Sequence, residues 1–156
     1  MWIEQTTLAQ WVGQGTTIWA YPTILFLHTL ALAVVVGITM VISLRVLNIT
    51  SGIALRPLAG LFPLLWAGFI LSAISGGLLF ITDVDARLAN GYFVTKMVFV
   101  VLAAISTALL RRVVFTDRPP DPQQLPRIGR VLALSSIVFW IGAITAGRLI
   151  AYLSPV

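Results

Sequence analysis

Residues 22–44 read PTILFLHTLALAVVVGITMVISL, and this stretch decides the fold class. It contains no charged residue, and its only titratable side chain is that of His28. A membrane hydrocarbon core of about 30 Å requires about 20 apolar residues in a helix. The stretch is therefore predicted to cross a membrane as a helix.

Three further apolar stretches of similar length follow. The four spans are predicted at about residues 22-44, 60-82, 92-110 and 130-152, within one transmembrane domain that covers residues 1-156. Each stretch is continuously apolar, whereas the strands of a membrane barrel alternate in polarity. Of the 156 residues, 59% are hydrophobic and only 10% are charged, against about 25% charged residues in an average soluble domain. The sequence predicts an all-α, integral membrane four-helix bundle.

A short N-terminal interfacial helix is predicted before the first span. Residues 2–18 carry spaced apolar and aromatic side chains with polar residues between them, a pattern typical of a helix that lies in the membrane interface. These apolar positions are Trp2, Ile3, Leu8, Trp11, Val12 and Ile18. A secretory signal peptide is not favoured, because the segment contains Glu4 and no basic residue.

The basic residues are concentrated in the first and third loops. Seven of the ten lie there, namely Arg45, Arg56, Arg111, Arg112, Arg118, Arg127 and Arg130. The second loop has only Arg87, offset by Asp83 and Asp85. The positive-inside rule then predicts a multi-pass protein of a bacterial inner (plasma) membrane, with both termini on the periplasmic or outer side. The net charge of +5 is therefore attributed to basic residues in the predicted cytoplasmic loops, and no nucleic-acid partner is expected.

Several classes of chemistry are excluded by residue type. The chain has no cysteine, which excludes disulfides, thiolate-bound zinc and iron–sulfur clusters. No carboxylate lies inside a predicted span, so no paired acid and base is available there. Copper transport is weakly supported, because Met40 and Met97 are the only methionines beyond Met1 and copper handling uses several soft ligands. An electron-transfer or binding protein is favoured over an enzyme.

Three nitrogen-bearing side chains are predicted at similar depth inside the spans. His28 lies six residues past Pro22, at a depth of roughly 9 Å. Lys96 and Arg148 lie four residues from Tyr92 and Tyr152, respectively, at depths of roughly 6 Å. Ionisable residues inside a membrane usually face a partner, a cavity or a cofactor. The sequence therefore predicts a polar layer in the outer half of the bundle.

Small and polar residues are predicted in the same layer. Gly76 and Gly77 would let a helix or a flat ligand approach the backbone closely. Thr145 is spaced i,i+3 from Arg148, which places both on one helix face. Met97 follows Lys96 and reaches a similar depth. A purely structural interpretation stands beside this one, in which Lys96 and Arg148 extend to the interface and His28 bonds to a serine or a carbonyl group.

Haem b is the cofactor that this layer favours. Histidine is a common axial ligand of haem iron, and a helix bundle is a usual site for such a cofactor. The predicted cofactor-binding residues are His28, Lys96, Met97, Thr145, Arg148, Gly76 and Gly77, with His28 as the metal ligand. The predicted function is membrane electron transfer. The alternatives are a non-catalytic membrane subunit or scaffold, and a binder of a quinone-like or anionic small molecule.

Three segments carry a resemblance to known proteins. They are Tyr21–Leu30 (YPTILFLHTL), Gly91–Lys96 (GYFVTK) and Ala146–Tyr152 (AGRLIAY). Together they resemble a family of small bacterial four-helix inner-membrane proteins, and this resemblance implies the fold and the candidate positions. Residues 27–33 (LHTLALA) are also distantly similar to the membrane domains of copper-resistance D and cytochrome b561-type proteins. The latter have additional histidines, whereas this chain has only His28.

The expected partners follow from the same features. The lipid bilayer is the first, and a quinone or a redox partner is the second. Gly37, Ala33, Gly60 and Gly68 offer small-residue faces for helix contacts, so a homo-oligomer is also expected.

Overall fold

The computed structural model describes residues 19–115 and 125–153, together with Thr7 and Trp11, leaving aside the side chains of residues 86, 151 and 153. Its helices, in chain order, are α1 (Ala20–Val46), α2 (Leu55–Leu58), α3 (Phe62–Phe80), α4 (Val84–Ala89), α5 (Gly91–Val114) and α6 (Arg127–Leu153). A 3-10 turn, Ala59–Leu61, connects α2 to α3. These residues contain no strand.

The predicted fold class is confirmed. The segments Ala20–Val46, Leu55–Phe80, Gly91–Val114 and Arg127–Ile150 are each long and apolar enough to cross a membrane. The described part of the chain is therefore an all-α membrane protein with four candidate spans. The predicted interfacial helix falls outside the described residues, apart from Thr7 and Trp11.

Local side-chain chemistry defines several helix ends. Pro63 lies in the first turn of α3, where its missing N–H leaves no helical hydrogen bond unmade. Asn90 caps α5, because its Oδ1 accepts a hydrogen bond from the backbone N–H of Tyr92 at 2.9 Å. After α1, Asn48 adopts a φ of 63°, which asparagine tolerates better than most residues. The buried Arg45 side chain donates hydrogen bonds to the Ile53 carbonyl and to Asn48 Oδ1, and so holds this turn in place.

The spans are arranged as two antiparallel pairs. α1 packs along α3, α5 packs along α6, and the two pairs meet where α1 contacts α6. We call the end of the bundle that carries Tyr21, Phe80, Phe93 and Tyr152 the aromatic end. The opposite end, which carries Arg45, Arg56, Arg111 and Arg127, is the arginine end.

The core consists of two buried clusters. One lies towards the arginine end and includes Ile42, Val46, Phe62 and Leu110. The other lies nearer the middle of the bundle and is built around Val35, Leu65, Ala103, Trp140 and Ala143. A pair of hydroxyl groups also links α5 to α6, where Thr107 Oγ1 and Ser136 Oγ lie 3.0 Å apart. Packing and hydrogen bonds of this kind drive helix association in lipid.

Gly68 lets α3 pack closely against α1. A Cβ added at Gly68 would lie 3.1 Å from Val35 Cγ2 and 3.3 Å from the Ala31 carbonyl oxygen. Because backbone cannot move aside cheaply, we expect Gly68→Ala to lower the free energy of unfolding by about 1–3 kcal/mol. Titration of the detergent-solubilised protein with dodecyl sulfate, followed by circular dichroism, measures this change.

Gly37→Ala is the matched control for this prediction. A Cβ at Gly37, also inside a span, would meet nothing within 4 Å. We expect it to keep or slightly raise the free energy of unfolding, by up to about 1 kcal/mol, since alanine is the better helix former. Equal stabilities of the two variants would contradict the close α1–α3 packing.

Candidate functional site

A cavity of about 500 Å³ lies towards the aromatic end of the bundle. Residues of α1, α3, α4 and α5 line it, and Trp140 contributes from α6. Trp140 lies twelve residues before Tyr152, so the cavity extends about 18 Å from the aromatic end. That depth is somewhat more than half of a hydrocarbon core of about 30 Å.

The lining of the cavity is mainly apolar and rich in aromatic side chains. The aromatic members are Tyr21, Phe69, Phe80, Phe93 and Trp140. At the aromatic end, the rings of Phe80 and Phe93 stack with their centroids 5.4 Å apart and so connect α3 to α5. Deep in the site, Trp140 is only 2% exposed, and its indole Nε1 has no hydrogen-bond partner among the described residues. An apolar cavity with a few polar groups is the usual form of a small-molecule site.

The cavity opens sideways between α3 and α5. The described parts of these two helices do not pack along each other, because each packs against its own partner, α1 or α6. The lining residues Ala73 and Gly77 on α3 are exposed, as are Met97 and Val101 on α5. In a bilayer, these exposed positions would face lipid.

His28 lines the cavity, and its imidazole ring contacts α3. Its Nδ1 lies 3.0 Å from the Ser72 carbonyl oxygen and 3.1 Å from Ser75 Oγ. A carbonyl oxygen only accepts, and Ser75 Oγ donates its own proton to the Leu71 carbonyl at 2.7 Å. The two shorter contacts favour a hydrogen on Nδ1, although the Ser72 hydroxyl also lies 3.4 Å from this atom. In a neutral imidazole of this tautomer, Nε2 has a free lone pair. Such a nitrogen can accept a hydrogen bond or bind a metal ion.

Gly76 makes the room in which the imidazole lies. A Cβ added there would lie 3.0 Å from His28 Cε1 and 3.4 Å from His28 Nδ1. At the neighbouring Gly77, an added Cβ would meet nothing within 4 Å. Only the first of the two glycines is therefore required for the position of His28.

Two basic side chains line the cavity. Lys96 is half-buried, and its Cδ and Cε would lie 3.6 and 3.7 Å from a Cβ added at Gly147 on α6. Arg87 comes from the short helix α4, and its Nε is buried with no hydrogen-bond partner among the described residues. The described lining contains no carboxylate. The charged part of the cavity is therefore cationic, and the other polar groups of its lining are the His28 imidazole, the hydroxyls of Tyr21 and Ser72, and the indole N–H of Trp140.

The structure brings together five of the seven predicted site residues and leaves two outside. His28, Gly76, Gly77, Lys96 and Met97 all line the cavity. Thr145 and Arg148 are exposed and do not line it. The Arg148 guanidinium carbon instead lies 6.0 Å from the centroid of the Tyr152 ring. Both side chains lie on a face of α6 that the bundle does not enclose.

Sequence reasoning missed two features of the cavity. From the sequence, Arg87 is treated only as a loop residue whose charge is offset by Asp83 and Asp85. The signal that points to Arg87 is that no other basic residue lies outside the spans on the predicted outer side of the membrane. Trp140, which the sequence analysis does not single out, lies in the core and also forms the deep end of the cavity.

The metal-binding capacity of the site rests on His28. Among the described residues, no three histidine, cysteine, aspartate or glutamate side chains come together. A metal ion held by several such ligands therefore has no site in the described part of the chain. A metal that brings most of its own ligands, as haem iron does, needs only one or two from the protein.

The sequence and the fold match no family model, no curated protein and no solved structure. The resemblance to small inner-membrane proteins and to b561-type domains therefore stays a prediction.

Proposed function

We propose that this membrane protein binds haem b in the cavity, with His28 as an axial ligand, and serves in membrane electron transfer. The observation that carries the proposal is the contact of His28 Nδ1 with the Ser72 carbonyl, because a neutral imidazole that donates from Nδ1 keeps Nε2 free as a ligand beside the cavity that His28 lines. Histidines that bind metals commonly donate their second ring nitrogen to such an acceptor, which fixes the tautomer and the ring orientation.

Several properties of the cavity fit haem. Its volume of about 500 Å³ lies within the range of small-molecule sites, about 300–1,000 Å³. Its walls are apolar, and the open space beside Gly77 leaves room for a flat molecule. Met97, whose thioether is the only sulfur in the described lining, would be the second residue able to hold the iron. The fit therefore rests on one histidine and at most one methionine.

The residues around the cavity have distinct roles in this proposal. Bound haem b supplies a one-electron couple whose potential depends on its axial ligands and surroundings. The Ser72 carbonyl and Ser75 Oγ hold the His28 ring, and Gly76 gives it space. The aromatic lining keeps water away, which lowers the local dielectric constant and strengthens each electrostatic interaction inside. The predicted topology would put this site in the outer half of a bacterial inner membrane.

A second candidate function is favoured by the lateral opening between α3 and α5. A quinone-like or anionic molecule dissolved in the bilayer could enter there and accept hydrogen bonds from the basic side chains at the cavity. This alternative requires no metal bond to His28. A scaffold role, the third alternative, requires no ligand at all.

Titration of the detergent-purified protein with haem and with protoporphyrin IX separates these functions. Protoporphyrin IX has the same shape and carboxylates but no iron. We expect one haem to bind per chain, with an affinity at least about tenfold above that of protoporphyrin IX, a difference of about 1.4 kcal/mol, because only haem can bond to His28. Equal affinities would contradict axial ligation. If neither tetrapyrrole binds, the haem proposal fails.

A further inference from the structure

We infer that Arg87 and Lys96 form an anion subsite in the cavity, which binds the carboxylate of an amphipathic ligand. The inference rests on the proposed function, since it assigns the charged group of the ligand that enters the same cavity. It adds Arg87, a residue outside the spans, to the binding site.

The two side chains provide positive charge without a matching carboxylate in the described lining. Arg87 contributes a guanidinium group, and Lys96 is a half-buried amine that shares the cavity with it. Charges removed from water are costly unless an opposite charge or hydrogen-bond partners compensate them. An anionic group between these side chains would supply that compensation.

The Nε of Arg87 is a buried donor with no partner among the described residues. Buried donors in folded proteins nearly always have an acceptor. A guanidinium group offers donors in a planar arrangement that matches the two oxygens of a carboxylate. The unmatched donor therefore indicates an oxygen-bearing anion, of which a carboxylate is the best geometric fit.

Arg148 does not serve this purpose, although it lies at comparable depth. Its side chain is exposed, and its guanidinium lies near the Tyr152 ring outside the cavity. It is therefore a natural control, with the same charge and the same end of the bundle but no place in the lining.

The shape of the cavity narrows the chemical class of the ligand. Lys96 lies about 6 Å below the level of Tyr92, whereas the cavity continues to Trp140, about 18 Å below Tyr152. Apart from His28 and Ser72, the space beyond the basic pair is apolar and aromatic. The ligand is therefore an amphiphile with a carboxylate near the aromatic end and a long or flat apolar body. Haem propionates and the head group of a fatty acid from the bilayer share this chemistry.

The test compares Arg87→Gln with Arg148→Gln, using haem and haem dimethyl ester. In the ester, both carboxylates are capped and neutral. We expect Arg87→Gln to weaken haem binding about tenfold and to leave the affinity for the ester within about twofold. We expect Arg148→Gln to change neither affinity, and Arg87→Lys to recover part of the haem affinity. Because each protein is compared with itself on two probes, a general loss of folding would lower both affinities together.

A second pair of probes covers the case in which haem does not bind. Tritiated hexadecanoate and hexadecanol are measured by scintillation proximity with the protein in lipid nanodiscs. Binding of the acid that depends on Arg87, with no such dependence for the alcohol, would support the anion subsite while the haem proposal fails. The inference is overturned if Arg87→Gln alters neither haem nor hexadecanoate binding, or alters charged and neutral probes equally.

Discussion

Replacement of His28 by glycine is expected to reduce haem affinity by on the order of a hundredfold, and free imidazole is expected to restore it. A hundredfold corresponds to about 2.7 kcal/mol, which the lost metal bond would supply. The variant leaves a space between α1 and α3. In the parent protein this space holds the His28 ring, whose Nδ1 contacts the Ser72 carbonyl and Ser75 Oγ. Imidazole added at millimolar concentration can occupy this space and present the same nitrogen. Haem titration with and without imidazole measures both effects.

Ser75→Ala is a suitable control for this experiment. The Ser72 carbonyl still accepts from His28 Nδ1 when Ser75 Oγ is removed. We expect that variant to lose less than about tenfold in haem affinity, below the roughly 10–100-fold loss typical when a metal ligand loses its supporting partner, because the Ser72 carbonyl still holds the ring. If His28→Gly binds haem as well as the parent protein, and imidazole has no effect, His28 is not an axial ligand.

The substitution Gly76→Ala, which adds one methyl group, is expected to have the second largest effect on haem affinity. The new Cβ would lie 3.0 Å from His28 Cε1 and would push the ring away from the Ser72 carbonyl. We expect Gly76→Ala to lower haem affinity about tenfold or more and to reduce the free energy of unfolding by about 1–3 kcal/mol. Haem titration and dodecyl sulfate unfolding of the same preparation measure the two quantities.

Gly77→Ala provides the comparison, because the two glycines are adjacent on one helix. A Cβ at Gly77 meets nothing within 4 Å, so we expect neither the haem affinity nor the stability to fall. Similar losses of haem affinity and stability in both variants would show that any added methyl group on this part of α3 is harmful, whether or not it contacts His28. No loss at Gly76 would contradict the observed position of the imidazole.

The positions of the spans follow almost entirely from hydropathy. Bilayer thickness fixes how long an apolar helix must be, and four stretches of the chain meet that length. The depth of His28 and Lys96 follows from the same reasoning, because a helix advances about 1.5 Å per residue. Both residues do line one cavity in the structure.

The direction in which each side chain faces does not follow from the sequence in the same way. In a soluble helix, the apolar stripe marks the buried face, but in a membrane the outward face is apolar as well. Thr145 and Arg148 share one face of α6 by their i,i+3 spacing, and depth alone suggested that this face turns inward. α6 instead packs on α5 and α1 through other residues, among them Trp140 and Ala143.

Arg87 illustrates a second limit of sequence reasoning. It lies in a connection between spans. Such a connection has no periodic pattern of apolar residues from which the depth of a residue or the direction of its side chain could be predicted. Only the course of α4 across the aromatic end brings this side chain to the cavity. The Phe80–Phe93 stack at the same end likewise depends on how α3 and α5 approach, which hydropathy does not specify.

The absorption spectrum of the purified protein tests the central claim most directly. The protein is expressed with ample haem supply, purified in detergent, and measured oxidised and then after reduction with dithionite. Ligation of haem by His28 predicts a Soret band and, on reduction, sharp α and β bands, all lost in His28→Gly. A flat visible spectrum under these conditions would contradict haem binding, and the cavity would then hold a colourless ligand or none.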